Sequence, residues 1–204
     1  MENKDHWYDG WFYDTFIAPN QDQLFRQIKN LIEPNTRIID VGCGTGRFSF
    51  SVVDKCNSVL GIDLSKRNID RAKLILSENQ NDKISFKHKN VSEIMSDSRA
   101  HFDYAVMTYV VHEVDEERRE TLLNQMVQVA DKIIIGDYLV PKPKSFWSGL
   151  NEVVEFAAGS EHYRNYKNYI TNGGIHHLAD KAGLKIITEI KNHPSTSHLV
   201  MLMK

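Results

Sequence analysis

The stretch RIIDVGCGTGRFSF, Arg37 to Phe50, puts three glycines inside five residues directly after the apolar run RIIDV. That run lacks polar alternation, which is how a strand buried on both faces reads. Glycine at Gly42, Gly44 and Gly46 lets the chain turn tightly and lets a ligand come closer to the backbone than any Cβ would allow. A helix over GRFSFSVVDK would then aim its free N–H groups at that ligand. A nucleotide-type ligand is implied. The spacing is G-x-G-x-G, whereas the dinucleotide fingerprint G-x-G-x-x-G would need its third glycine where Arg47 stands. The Gly-Lys-Ser/Thr ending of a phosphate loop is absent as well.

On either side of this turn, short apolar runs alternate with segments of helical period. A helix is expected over QDQLFRQIKNLI before the first strand. After it come the strand SVLGIDLS, a helix KRNIDRAKLILSEN capped by Ser65, and a third strand ISFKHKNV. FDYAVMTYVV, the charged helix DEERRETLLNQMVQVA and KIIIGDYLV follow, and LKIITEI with HLVMLM closes the series. Strands alternating with helices predict an α/β, Rossmann-like, doubly wound sheet of seven strands with helices on both faces. The sheet should be mostly parallel, with a C-terminal antiparallel hairpin at one edge. One domain over 1–204 is expected. The polar, glycine-punctuated region between PKPKSFW and NGGI reads as its loosest part.

Bulk properties narrow the partners. With 25 Lys+Arg against 27 Asp+Glu and a net charge of -2, the chain lacks the basic excess of a protein built to hold a phosphate backbone. No apolar stretch approaches the roughly 18 residues of a membrane helix. The two cysteines, Cys43 and Cys56, are too few for a disulfide framework. A cytoplasmic protein is expected, with no membrane span and with nucleic acid disfavoured as a partner.

Ligands of such sheets sit beyond the carboxyl ends of the strands. Asp63, ending VLGIDLS, is placed to accept both hydroxyl hydrogens of a ribose. The alternative is that Asp63 caps the next helix, a task for which Ser65 also offers itself.

IIDVGCGTGRF, then LGIDLS followed by a helix containing RAK, then FDYAVMTYVVHEV and GDYLVPKP, resemble the successive motifs of the class I S-adenosylmethionine-dependent methyltransferases. The HE of YVVHEVD is similar to the segment found at this point in the small-molecule branch that includes quinone-biosynthesis C-methyltransferases. The resemblance implies S-adenosylmethionine as cofactor and S-adenosylhomocysteine as product. By the same resemblance, Asp40, Gly42, Cys43, Gly44 and Gly46 would surround the amino-acid part of the cofactor. Asp63 would hold the ribose, Leu64 would lie against the adenine, and Asn90 and Val91 would stand where an acidic residue often meets the adenine amino group. Thr108 and Tyr109 would approach the sulfonium, a tyrosine face being favourable beside a cation, although a buried structural tyrosine is an equal reading. Cysteine is frequent at the Cys43 position as a small residue under the cofactor, which argues against a nucleophile.

Displacement at a sulfonium methyl expels a neutral thioether, so positioning and exclusion of water supply most of the acceleration. A base is needed only where the acceptor must lose a proton. His112 and Glu113 are the candidates for that role, against a reading in which His112 packs on the sheet edge and Glu113 lends charge to a helix N-terminus.

Two aromatic clusters are expected to enclose the acceptor. The first is an N-terminal lid within 1–33, with Trp7, Trp11 and Phe12 in it, and with Tyr13 resembling a tyrosine that reaches the cofactor carboxylate. The second is a cap over 141–183 with His162, Tyr163, Tyr166 and Tyr169, joined by Tyr138 before it; a tyrosine stripe packing on the core would show the same three-residue spacing. No histidine pair has the i,i+4 spacing of a helical zinc site, so no metal is expected. The leading expectation is methyl transfer to a small, partly apolar acceptor at O, N, S or C. The alternatives are an RNA or protein methyltransferase and a non-catalytic cofactor-binding protein.

Overall fold

A computed structural model describes residues 18–97, 100–157, 159–192 and 196–204. The N-terminal aromatic cluster, with Trp7, Trp11, Phe12 and Tyr13, lies outside the described residues.

Helix α1 (Ala18–Leu31) precedes strand β1 (Arg37–Val41), and the glycine turn leads from β1 into α2 (Arg47–Val52). Strand β2 (Ser58–Asp63), α3 (Lys66–Asn79), β3 (Ile84–His88), α4 (Val91–Met95) and β4 (Phe102–Thr108) continue the alternation. Helix α5 (Glu116–Val129) and β5 (Ala130–Tyr138) follow, then α6 (Phe146–Ala157), α7 (Ser160–Thr171) and α8 (Gly174–Lys181), then β6 (Lys185–Lys191) and β7 (Ser197–Met203). The seven strands lie in the order β3-β2-β1-β4-β5-β7-β6. β1 through β5 pair in parallel, and β7 runs antiparallel to both β5 and β6. The expected sheet and closing hairpin are therefore present, with β7 inside the sheet and β6 at its edge.

The parity of the strands explains the two cores. Ile38, Tyr104, Val106 and Ile134 face one cluster, which α1, α2 and α3 cover with Leu24, Phe25, Ile28, Phe48, Val52, Ile69 and Ala72. Ile39, Val41, Ala105, Met107, Ile133 and Ile135 face the other, covered by Leu123, Met126 and Val129 of α5 and Ile175, Leu178 and Ala179 of α8. Each fully buried aliphatic side chain contributes roughly 1.5–3 kcal/mol. That is why runs such as RIIDV show no alternation.

Three expectations need correction. The third strand stops at His88, because Asn90 caps α4 in a capping box with Glu93, whose carboxylate accepts from the Asn90 N–H. The fourth stops at Thr108, because Tyr109 turns out of the sheet with φ 54°. The region between β5 and β6, expected to be loose, is three helices; Gly149 sits inside the first, and Gly159 and Gly173 are the N-caps of the other two.

Candidate active site

The chain winds from β1 through β2 to β3, then returns to lay β4 on the other side of β1, so the winding reverses between β1 and β4. At that reversal the glycine turn begins. Gly42 has φ 73°, and a Cβ there would lie 2.6 Å from Val110 Cγ2, so glycine lets the ends of β1 and β4 close together. Gly44 has φ 54° and a Cβ there would meet nothing within 4 Å. Its N–H donates to Asp63 Oδ2 at 2.8 Å, and the Ser65 N–H donates to Asp63 Oδ1 at 2.7 Å. The carboxylate ending β2 is thus held facing the turn, while Ser65 takes the capping role for α3 by accepting from the Asn68 N–H. Leu64 stands beside it, 65% exposed.

Below the turn, Asp40 is 1% exposed and accepts a hydrogen bond from Ser49 Oγ at 2.6 Å. Burial, more than the Ser49 bond can offset, pushes its carboxyl up to about 7. Cys43 is buried too, and burial together with the charges of Asp40 and Asp63 pushes its thiol up, which removes it as a nucleophile.

Beyond β4, Tyr109 holds a left-handed backbone at a cost of order 1 kcal/mol. The Tyr109 N–H donates to the Gly136 carbonyl at 2.7 Å, its hydroxyl donates to Ser197 Oγ at 3.0 Å, and its ring meets Tyr138 edge-on at 5.9 Å. The turn delivers His112 into the interior. His112 is 2% exposed, with Nδ1 2.7 Å from Oδ1 of the fully buried Asp137 at the end of β5, and its backbone N–H donates to the other oxygen of that carboxylate at 3.2 Å. Asp137 thereby fixes the ring so that Nε2 points away from the sheet.

That nitrogen faces a polar cluster. Glu155 Oε1 of α6 lies 3.6 Å from His112 Nε2, and Glu113 Oε1 lies 3.9 Å from it. His162 Nε2 of α7 is 2.6 Å from Glu155 Oε2 and 3.8 Å from Glu113 Oε1. Tyr138 donates its hydroxyl to Glu155 Oε1 at 2.6 Å, and its ring packs against His112 at 4.9 Å and Tyr166 at 5.2 Å. Burial by itself would pull the His112 imidazolium down. The charges of Asp137 and Glu155, the Asp137 hydrogen bond and Glu113 outweigh it and hold the group at about 9.

A family model described as a methyltransferase domain matches residues 38–132, from β1 into β5. Over 154 residues the chain is 27% identical to the O-antigen chain terminator bifunctional methyltransferase/kinase of Escherichia coli, covering 70% of this chain and 21% of that one. The chain thus spans about a fifth of that relative's length. It is 23% identical over 167 residues to a ubiquinone biosynthesis O-methyltransferase of Acinetobacter baylyi, covering 79% of this chain and 69% of that protein. In fold it is similar to magnesium protoporphyrin IX methyltransferase of Synechocystis, solved with S-adenosylhomocysteine, at TM-score 0.67 and 16% identity, covering 97% of this chain and 90% of that one. Residues 38–132 thus carry a methyltransferase domain, on a fold shared with S-adenosylmethionine-dependent methyltransferases.

Several residues that the motifs single out are already engaged. Asn90 Oδ1 accepts from the Glu93 N–H and from Ser92 Oγ, and Val91 is 2% exposed at the start of α4. Thr108 is half-buried at the end of β4. Along α7, Tyr166 and Tyr169 are each 1% exposed, the Tyr169 hydroxyl donating to the Tyr138 carbonyl, while Tyr163 stacks on Tyr166 and donates to Glu152. Three functional candidates escape the sequence reading. Asp137 repeats the pattern of Asp40 and Asp63, an aspartate near the end of an apolar strand, and could have been found by it. Glu155 is a lone carboxylate in the apolar run VVEFA. Arg119 is indistinguishable in sequence from its neighbour Arg118. Among the described residues no helix is long and apolar enough to cross a membrane.

Proposed function

We propose that the enzyme methylates a small, partly apolar acceptor held between the carboxyl end of β4 and a cap formed by α6 and α7. The reading is carried by the buried His112–Asp137 pair, whose Nε2 opens onto Glu155, Glu113 and His162 immediately beyond the cofactor-side residue Tyr109.

The residues support both halves of the site. Open space at Gly44, the Asp63 carboxylate beside it and the exposed Leu64 suit the cofactor, with Asp63 taking the ribose hydroxyls and Leu64 the adenine face. Asp40, Gly42, Cys43 and Gly46 would line its amino-acid end, and Thr108 and Tyr109 the sulfonium, with Asn90 and Val91 at the adenine rim and Tyr13 reaching from the N-terminal segment. When bound, S-adenosylmethionine supplies an activated methyl and a neutral thioether leaving group. The chain's own task is then to align the acceptor, exclude water and take up any proton the acceptor loses. Tyr138, Tyr163 and Tyr166 give the cap its apolar wall, and Glu113, Glu155 and, in their neutral forms, His112 and His162 give it the groups that receive a proton.

The test is His112→Ala with radiolabelled S-adenosylmethionine and a metabolite extract as acceptor source. Turnover should fall by about 10²–10⁴-fold, while the thermal shift produced by S-adenosylmethionine stays close to that of the wild type. Undiminished turnover would remove His112 from the mechanism, and label found only in an RNA or protein fraction would overturn the small-acceptor reading.

A further inference from the structure

The geometry points to a binding site for a divalent first-row transition cation formed by His112, Glu113 and His162. One ligand atom from each residue lies within 4.8 Å of the other two. Two atoms bonded to one ion at about 2.1 Å stand at most about 4.2 Å apart. The 3.8 and 3.9 Å separations of Glu113 Oε1 from the two imidazole Nε2 atoms already satisfy that limit. The remaining pair needs an inward shift of at most about 0.6 Å, which a partly exposed His162 can supply.

The surroundings have the form of a metal site's outer layer. Ligating histidines usually give their other ring nitrogen to a carboxylate, which fixes the tautomer and makes the ligand more basic. Asp137 does this for His112, while also accepting the backbone N–H groups of His112 and Tyr138. Glu155 is 4% exposed, and its Oε2 lacks an aligned hydrogen-bond donor although His162 Nε2 approaches to 2.6 Å. Three carboxylates, Asp137, Glu113 and Glu155, surround the two imidazoles here. Two imidazoles with a carboxylate suit Zn²⁺, Mn²⁺, Fe²⁺ or Co²⁺, whereas Ca²⁺ and Mg²⁺ take oxygen ligands.

Three protein ligands leave coordination positions open. The role of the ion rests on the acceptor reading above: a hydroxyl bound at an open position is acidified by the ion. Its proton passes to Glu155 Oε2, the new O–CH₃ bond forms as the S–CH₃ bond breaks, and the bonding pair of that bond returns to sulfur. The site thus selects an oxygen acceptor, an alcohol or phenol, from the four acceptor atoms.

The full chain, stripped with a chelator, is titrated with Co²⁺ without acceptor and followed by visible absorption and calorimetry. One equivalent should bind in the wild type, with His162→Gln and Glu113→Gln each weakening it by about tenfold to a hundredfold or more. Both variants should keep the thermal shift with S-adenosylmethionine, which shows that they fold. Substoichiometric uptake by the wild type, or wild-type affinity in both variants, overturns the site. Because uptake is read without methyl transfer, it succeeds or fails independently of the methylation assay. Methyl transfer undiminished in the stripped protein would refute the ion's catalytic role while leaving the methyltransferase reading intact.

Discussion

A methyl group added at Gly42 would lie 2.6 Å from Val110 Cγ2, whereas one added at Gly44 would meet nothing within 4 Å. The two glycines therefore answer to different demands, strand packing at Gly42 and, in the proposed site, ligand approach at Gly44. Gly44→Ala should cost the fold only about 1 kcal/mol, the strain of a left-handed alanine, yet abolish the thermal shift with S-adenosylmethionine. A retained shift would assign the glycine to backbone conformation alone. Asp40 carries a second residue-scale prediction. Its carboxyl titrates at about 7 in the fold against an ordinary 3.8. Between those values the unfolded chain has released a proton that the fold retains, so the folded form binds more protons and stability falls as pH rises through that window, levelling off above it. Asp40→Asn keeps an acceptor for Ser49 and has no charge to bury. Its Tm, measured without cofactor, should therefore decline less between about pH 4 and pH 7; a profile parallel to the wild type would mean that Asp40 does not control this dependence.

Among the elements, the join between α5 and α7 rests on Arg119. It is 2% exposed and donates to the carbonyls of Val114, His112 and Asn165 and to Asn168 Oδ1, with its guanidinium 5.6 Å from the Tyr169 ring centroid. One side chain thus ties the turn that carries His112 to the cap helix that carries His162. Arg119→Met preserves the apolar stem but strands buried carbonyls, each worth about 1–3 kcal/mol. A loss of about 3 kcal/mol or more by denaturant melting is expected, together with faster hydrogen exchange in α7 and a raised KM for the acceptor. Exchange in α7 equal to the wild type would show that the cap is held by other contacts. Sequence periodicity finds α7 only as a possible tyrosine stripe and misses α6 and α8, because Gly149 inside α6 and Gly173 at the start of α8 look like loop residues.

For the molecule as a whole, a net charge of -2 gives no general attraction for a polyanion. Turnover of a small acceptor should stay nearly constant between 50 and 200 mM salt, where a protein making many phosphate contacts would lose about 10³–10⁵ in affinity. Saturation with S-adenosylmethionine at about 100 times its Kd should stabilise the fold by about 2.7 kcal/mol through mass action, and NAD should not. Stabilisation by NAD instead would overturn the cofactor assignment.

The sequence by itself determined the sheet and the glycine turn with its facing aspartate. Both are local: buried strands announce themselves as unbroken apolar runs, and Gly42, Gly44 and Asp63 need only follow the ends of β1 and β2 to be recognised. The cluster proposed to receive the acceptor was assembled by tertiary structure. His112, Asp137, Glu155 and His162 come from a turn, a strand and two helices, and a search for i,i+4 histidines is blind to side chains that meet from different elements. They meet because β4 and β5 pair in register and α6 and α7 fold back over their carboxyl ends, a convergence that no spacing along the chain encodes.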